Sequence, residues 1–240
     1  MKLSRYKRNS STSYALGATL TYELFKTKPE LIQRVFLRPD IKKGENLANL
    51  LDKLRASKIE IIESQKPFNV LDAKEDCLLI TEFAKTSQQL DSAQPHIVLV
   101  NPSDAGNLGT IMRSATAFGF KNLAIITPAV DFCAPKTIRA SMGAAFHLNI
   151  QEFSSIEEYR QQNTERPLYA FMLNPAAQHL AEAAQSAPNC YSLVFGNEAS
   201  GLPENFATFC QPVFIPQSDE VDSLNLSVAA SITLYTFRQI

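Results

Sequence analysis

Three short segments beyond residue 100 bring together residue types that can do chemistry and the glycines and prolines that position them. They are Gly106-Asn107-Leu108-Gly109-Thr110-Ile111-Met112-Arg113, Phe195-Gly196-Asn197-Glu198-Ala199-Ser200-Gly201-Leu202-Pro203, and Ile215-Pro216 followed by Ser223-Leu224-Asn225-Leu226-Ser227. Each lies between an apolar run and a helical pattern, which is where open α/β sheets bind ligands, at the carboxyl ends of strands. The first runs into a helix starting near Asn107, and the free N–H groups of a helix start favour anions. Asn107 also suits the N-cap position itself. Arg113 puts a cation near the start of that helix, against its dipole, and either serves a site or sits in a salt bridge. In the second segment, Gly196 and Gly201 permit close backbone approach or positive φ. Glu198 is the one acid between Glu182 and Glu204, either a functional carboxylate or a solvated loop anion. In the third, Ser223 is a sound N-cap, which leaves Asn225 at a mid-helix position for which it has poor propensity.

A dinucleotide site is a rival for the first segment, with Asp131 as the ribose-binding acid. The glycine pattern is G-x-x-G rather than G-x-G-x-x-G, and Asp131 falls beyond the strand end, so the fingerprint is incomplete.

The elements that must position these segments alternate along the chain. After Pro95, apolar stretches at 97–100, 123–126, 147–150, 168–171, 191–195 and 213–215 read as strands. Stretches at 107–118, 137–144, 156–162 and 224–237 read as helices. Leu224, Val228, Ile232 and Tyr235 fall on one stripe of the last helix, a core face or a dimer surface. Short apolar strands alternating with helices predict a mostly parallel sheet covered on both faces. Before it, helices at 14–26 and 45–56 alternate with strands at 34–37, 59–62 and 77–81, a small α/β layer domain. The polar, aperiodic stretch Lys85 to Pro95 reads as a linker, so the expected domains are 1–93 and 94–240.

Composition narrows the function. Residues 1–93 carry 16 Lys and Arg against 12 Asp and Glu, whereas residues 94–240 carry 7 against 12. Cations that could meet a polyanion therefore sit in the first third. Four dispersed cysteines (Cys77, Cys133, Cys190, Cys210) and three isolated histidines (His96, His147, His179) form no metal-ligand pattern and fit reduced thiols in a cytoplasmic protein. No apolar run approaches membrane-spanning length. The basic, Ser-rich N-terminus lacks the apolar stretch of a secretory signal; an organellar transit peptide shares its look, and an RNA-facing or solvated arm is the preferred reading.

In their order and spacing, the three segments closely resemble the motifs of the SpoU/TrmH family of RNA ribose 2'-O-methyltransferases, of the SPOUT class. That resemblance covers about residues 95–240 and implies an α/β sheet with helices on both faces and a deep trefoil knot. It implies S-adenosyl-L-methionine as cofactor and a homodimer with its active sites near the interface. Asn107 matches the motif-1 asparagine and Arg113 the catalytic arginine held to activate the ribose 2'-hydroxyl. Guanidinium stays protonated, with a pKa above ~12. Arg113 is therefore expected to clamp the flanking phosphate and stabilise the developing alkoxide rather than accept a proton. By the same resemblance, Phe195, Gly196, Asn197 and Gly201 line the cofactor pocket, and backbone around Ile215, Pro216 and Leu224 holds the adenine. Glu198 is then a functional carboxylate, and Ser223 and Asn225 shape the catalytic pocket. Ser141-Met142-Gly143-Ala144 resembles a recurrent helix-turn element of the family, and residues 1–93 look like the ribosomal-protein-type RNA-binding domain many members carry in front. The expected function is methylation of structured RNA, ribosomal RNA ahead of transfer RNA, without metal or membrane. A non-catalytic RNA-binding protein on the same fold and a small-molecule nucleotide enzyme are the alternatives.

Overall fold

Glycine 17 decides how the chain begins. Its φ of +115° lies outside the range of L side chains, and it splits the stretch expected as one helix over 14–26 into strand β1 (Thr12–Leu16) and helix α1 (Ala18–Thr27). Leu16 therefore pairs in a sheet, opposite Ile80, and only Leu20 and Leu24 keep the helical spacing, both buried. The computed structural model describes residues 5–41, 44–86, 88–174 and 176–238. After α1 come β2 (Ile32–Leu37), α2 (Glu45–Ala56), β3 (Ile61–Glu63), α3 (Lys66–Val70) and β4 (Leu79–Ala84). Next are β5 (His96–Val100), α4 (Ala105–Ala117), β6 (Asn122–Ile126), α5 (Pro135–Ala140), β7 (Asn149–Phe153) and α6 (Ile156–Gln162). The remainder is β8 (Leu168–Phe171), β9 (Gln178–His179), α7 (Leu180–Ser186), β10 (Ser192–Phe195), β11 (Gln211–Phe214) and α8 (Leu226–Phe237).

Packing divides the chain into two units, residues 1–86 with 131–146, and residues 87–130 with 147–240. The first is built on a four-stranded sheet in the order β1-β4-β2-β3, with β4 antiparallel to both neighbours and β3 parallel to β2. Helix α2 runs over the expected residues, and Leu47, Leu50, Leu51 and Leu54 bury one face against Val35, Leu37 and Leu79. The expected strands at 59–62 and 77–81 lie about two residues downstream, at β3 and β4.

The excursion 131–146 has no counterpart in a single cut at a linker. The Ser13 hydroxyl donates to the Cys133 carbonyl, the Tyr6 hydroxyl donates to Asp131, and Phe146 packs edge-on against Phe83 with ring centroids 5.4 Å apart. Its turn uses two successive left-handed residues, Met142 (φ +52°) and Gly143 (φ +88°). A Cβ at Gly143 would lie 2.9 Å from that of Glu23, so close packing as well as φ selects glycine there.

The second unit holds a seven-stranded sheet in the order β7-β6-β5-β10-β8-β11-β9, with every pairing parallel. Helices flank it, which is why β5, β6 and β10 are buried at every residue. One polar group is folded into this interior. Burial depresses the pKa of His96 to about 4, so its ring is neutral. Nε2–H then donates to the Asp91 carbonyl at 2.9 Å, and Nδ1 accepts the Tyr159 hydroxyl at 2.8 Å. The linker is stapled to this unit, because Arg166 donates to the carbonyls of Ser92 and Gln94 and Leu90 packs on the core. Among the described residues, no helix is long and apolar enough to cross a membrane.

Strand order positions the site. Successive strands from β5 run outward one way, through β6 to β7, whereas β10, β8, β11 and β9 lie on its other side. The order of succession therefore reverses between β5 and β10, although the strands stay parallel. The carboxyl ends of strands at such a reversal open into a crevice. The first two motif segments leave the sheet at those two strands, and the third follows β11.

Candidate active site

At the carboxyl ends of β10, β8 and β11 lies a cavity of about 230 Å³. Phe195, Gly196, Asn197, Gly201, Ile215 and Leu224 line it, as do Glu198 and Ser223. Phe171 stacks on Phe195, with centroids 4.6 Å apart and planes 10° from parallel, giving a flat apolar wall. Met172, Leu173 and Ala229 also line the cavity and were not legible, because the segment after β8 carries no glycine or charged residue to mark it. Pro216 is exposed and lies outside the lining.

Gly196 shapes this cavity. A Cβ there would overlap the backbone of Gly201 and Leu202. Two backbone hydrogen bonds close the loop, Asn197 N–H to the Gly201 carbonyl at 3.2 Å and Gly201 N–H to the Asn197 carbonyl at 2.9 Å. Gly201 takes φ +65° to complete the turn. The Asn197 side chain braces it from both sides: Oδ1 accepts Ala199 N–H at 2.9 Å, and Nδ2 donates to the Asn101 carbonyl at 2.8 Å.

Glu198 is not a free carboxylate. Its Oε2 accepts the Ser103 N–H at 3.1 Å and hydroxyl at 2.8 Å, and its Oε1 accepts Asp104 N–H at 3.1 Å and Asn107 Nδ2 at 3.3 Å. Asn197 Nδ2 adds a fifth contact, at 3.3 Å. Burial by itself would raise its pKa. The hydrogen bonds, led by backbone N–H groups and the Ser103 hydroxyl, outweigh burial and hold the carboxyl below the usual carboxylate range. A carboxylate whose oxygens are occupied in this way anchors backbone and is poorly placed to take a proton.

Both helix starts differ from the sequence expectation. Asp104, not Asn107, caps α4: its Oδ1 accepts Asn107 N–H at 2.8 Å. Asn225, not Ser223, caps α8, with Oδ1 accepting the Ser227 N–H at 2.8 Å and hydroxyl at 2.7 Å. Asn225 is therefore no poor mid-helix residue but a favoured cap. Relieved of capping, Asn107 links the two helix starts: Nδ2 donates to Glu198, and Oδ1 accepts Asn225 Nδ2 at 3.1 Å. Ser103, Asp104 and Ser227 are the partners that sequence reasoning missed. The signal that could have found Asp104 is a capping-type acid three residues before a residue of the first helical turn; Ser103 carries no such mark.

Arg113 stands apart. It is the ninth residue of α4 rather than near its start, is exposed on the face opposite Leu108, Ile111 and Met112, and does not line the cavity. Among the described residues, no ion pair is recorded for it. Asp131, the rival's ribose-binding acid, belongs to the N-terminal unit, where it accepts from the Tyr6 hydroxyl. Among the described residues, no group of three or more His, Cys, Asp or Glu is placed to hold a metal ion.

A crevice at a sheet reversal, lined by glycine-bearing loops and joined to two helix starts, defines an α/β ligand-binding site. Residues 94–235 match the SpoU rRNA Methylase family, and the chain belongs to that family. It is 32% identical over 154 residues to an uncharacterized tRNA/rRNA methyltransferase of Synechocystis, a match covering 62% of this chain and 56% of that protein. It is 27% identical over 155 residues to the 23S rRNA (guanosine(2553)-2'-O)-methyltransferase RlmP of Bacillus subtilis, covering 63% of this chain and 60% of that protein. The chain thus spans little more than half the length of these relatives. Its fold matches that of the SpoU methyltransferase AviRb from Streptomyces viridochromogenes in complex with AdoMet. The TM-score is 0.78 at 21% identity, over 95% of this chain and 89% of that one.

Proposed function

We propose that the chain is an S-adenosylmethionine-dependent ribose 2'-O-methyltransferase acting on structured RNA, with ribosomal RNA preferred to transfer RNA. In this reading, residues 94–240 hold the cofactor and the reacting hydroxyl, and residues 1–93 dock the RNA. The carrying observation is that the second and third motif segments line one cavity and the first is tied to both through the Glu198–Asn107–Asn225 hydrogen bonds. The cavity suits the cofactor chemically. The Phe171–Phe195 wall offers an apolar face to an adenine, and the loops at Gly196 and Ile215 bring backbone donors and acceptors to its edge with no side chain at Gly196 to fill the space. When bound, S-adenosylmethionine supplies an electrophilic methyl group on a sulfonium.

The chain's own residues orient and exclude. Asn107 is held at both ends of its amide, so its position is set before any substrate arrives. Arg113 supplies a permanent cation for the flanking phosphate and the developing alkoxide. Its absence from the cavity lining supports a homodimer in which it acts at a site completed by a second copy. Helix α8, which packs on α4 through a 2.7 Å Ser114–Ser231 contact, leaves Val228, Ile232 and Tyr235 exposed at 46%, 39% and 55%. Of the expected stripe, Leu224 precedes the helix and lines the cavity, while the other three residues form an uncovered apolar face in the single chain rather than core. The trefoil knot belongs to the same reading and is supported by a strand order in which the later β10 lies between β5 and β8.

The test is transfer of labelled methyl from S-adenosylmethionine to total RNA from cells lacking the gene. Wild type is expected to label one RNA species. Arg113→Ala is expected to bind cofactor normally yet transfer about a hundredfold more slowly, the scale of a lost transition-state contact. Protein that neither binds cofactor nor transfers label would defeat the reading. Asn225→Asp separates capping from orientation. It keeps the acceptor for Ser227, so melting should move by no more than a few degrees, but it loses the donor to Asn107 and sets a carboxylate against its oxygen. Transfer should fall about tenfold or more at unchanged cofactor affinity, and a rate equal to wild type would show that Asn107 needs no such hold.

A further inference from the structure

The excursion 131–146 interrupts the parallel-sheet unit in sequence yet packs with the N-terminal one, and its charges are sorted. Its single acid, Asp131, is turned inward, accepting from the Tyr6 hydroxyl with Lys85 Nζ 4.0 Å away. Its two cations, Lys136 and Arg139, are exposed, and among the described residues neither has a recorded ion pair or side-chain hydrogen bond. Including the excursion, the N-terminal unit carries 18 Lys and Arg against 12 Asp and Glu, a net +6, while the other unit carries 5 against 12, a net −7. The excursion thus adds cations to the one unit that already has an excess.

The same unit also holds a fixed arginine. Arg38 donates from Nε to the Cys77 carbonyl and from a terminal nitrogen to the Lys74 carbonyl, both at 2.9 Å, with its guanidinium 4.4 Å from the centre of the Phe68 ring. One guanidinium locked by backbone carbonyls and an aromatic ring, in the same unit as the exposed long-chain cations of the excursion, suits a run of phosphates. Long-chain cations without acidic partners keep their full charge for such a polyanion.

We propose that the excursion 131–146 is part of the RNA-docking surface, with Lys136 and Arg139 contacting the phosphate backbone. The excursion lies within the methyltransferase segment of the sequence but serves docking, not methyl transfer. This rests on the RNA reading above and names which residues outside 1–93 carry it.

The test uses the full chain and an RNA duplex transcribed in vitro, with binding followed by fluorescence anisotropy across a salt series. Lys136→Ala/Arg139→Ala is expected to weaken binding by about one to two orders of magnitude. It should also lower the slope of log affinity against log salt by about two, one for each lost phosphate contact. Melting temperature and S-adenosylmethionine affinity should match wild type, which separates a lost contact from a misfolded chain. In a transfer assay the same variant should raise KM for RNA with kcat unchanged. A double variant that binds duplex with the wild-type slope would overturn the proposal while leaving the methyltransferase reading intact. So would a wild-type chain with no salt-dependent RNA binding. In that case cofactor titration of the same sample decides whether the methyltransferase reading falls too. If the variant lost affinity for an acidic protein but not for the duplex, the surface would belong to a protein partner and the proposal would fail.

Discussion

Replacing Gly196 by alanine is expected to remove measurable S-adenosylmethionine binding and to destabilise the protein by about 3 kcal/mol. The added methyl has no rotamer with which to avoid its neighbours, because the overlap is with the Gly201 and Leu202 backbone. Overpacking a rigid site costs roughly 1–3 kcal/mol, and relief here requires opening the two-bond bridge between Asn197 and Gly201. That bridge is the wall of the cavity, so stability and binding fall together. Gly201→Ala is the internal comparison. A Cβ there meets nothing within 4 Å, and the cost is limited to the left-handed φ of +65°, about 1–2 kcal/mol. Thermal melting and calorimetric titration of both variants check this. Equal effects at the two positions, or wild-type cofactor affinity in Gly196→Ala, would refute the argument.

Glu198→Gln is expected to cost about 2 kcal/mol and to slow transfer by about a hundredfold, although the side chain keeps its length. Every group facing Glu198 is a donor: two backbone N–H groups, the Ser103 hydroxyl and two asparagine amides. Glutamine turns its NH₂ toward donors, and hydrogen bonds to a charged acceptor are each worth about 1.5–3 kcal/mol before solvent exposure discounts them. The rate effect follows from position, because Glu198 holds one end of Asn107. The pH dependence gives an independent readout. The folded carboxyl lies below its ordinary value of 4.5, so in the pH range between the two values the unfolded chain binds more protons. The stability from Glu198 is therefore full above about pH 4.5 and lost as pH falls through the folded value. Acid titration of melting temperature should show a shallower fall in Glu198→Gln than in wild type. Parallel curves would mean that the carboxylate is not held by these bonds.

Local signals were strong where the interaction is local. The bounds of α2 and α6 agree with the sequence reading, since amphipathic leucine spacing in one and the Ser155 cap in the other lie within a turn of the residues they organise. The glycines at 196 and 201 likewise marked the cavity wall, because close backbone approach can be met by few residue types. Helix starts were harder. Ser223 and Asn225 are both good caps, and so are Asp104 and Asn107. Which of each pair caps depends on backbone dihedrals that the preceding strand and loop impose, not on the residue type.

Alternating apolar runs and glycine-bearing loops thus determined by themselves that this is an α/β chain of two parts with its candidate site at the ends of parallel strands. Only the tertiary structure decided that Glu198 reaches 95 residues back to Ser103 and holds the α4 start, that residues 131–146 join the N-terminal unit, and that the apolar stripe of α8 is left uncovered. The physical reason is the same in all three cases. A carboxylate, a cationic loop and an apolar stripe carry no mark of their partners, and the partner is chosen by which strands lie side by side.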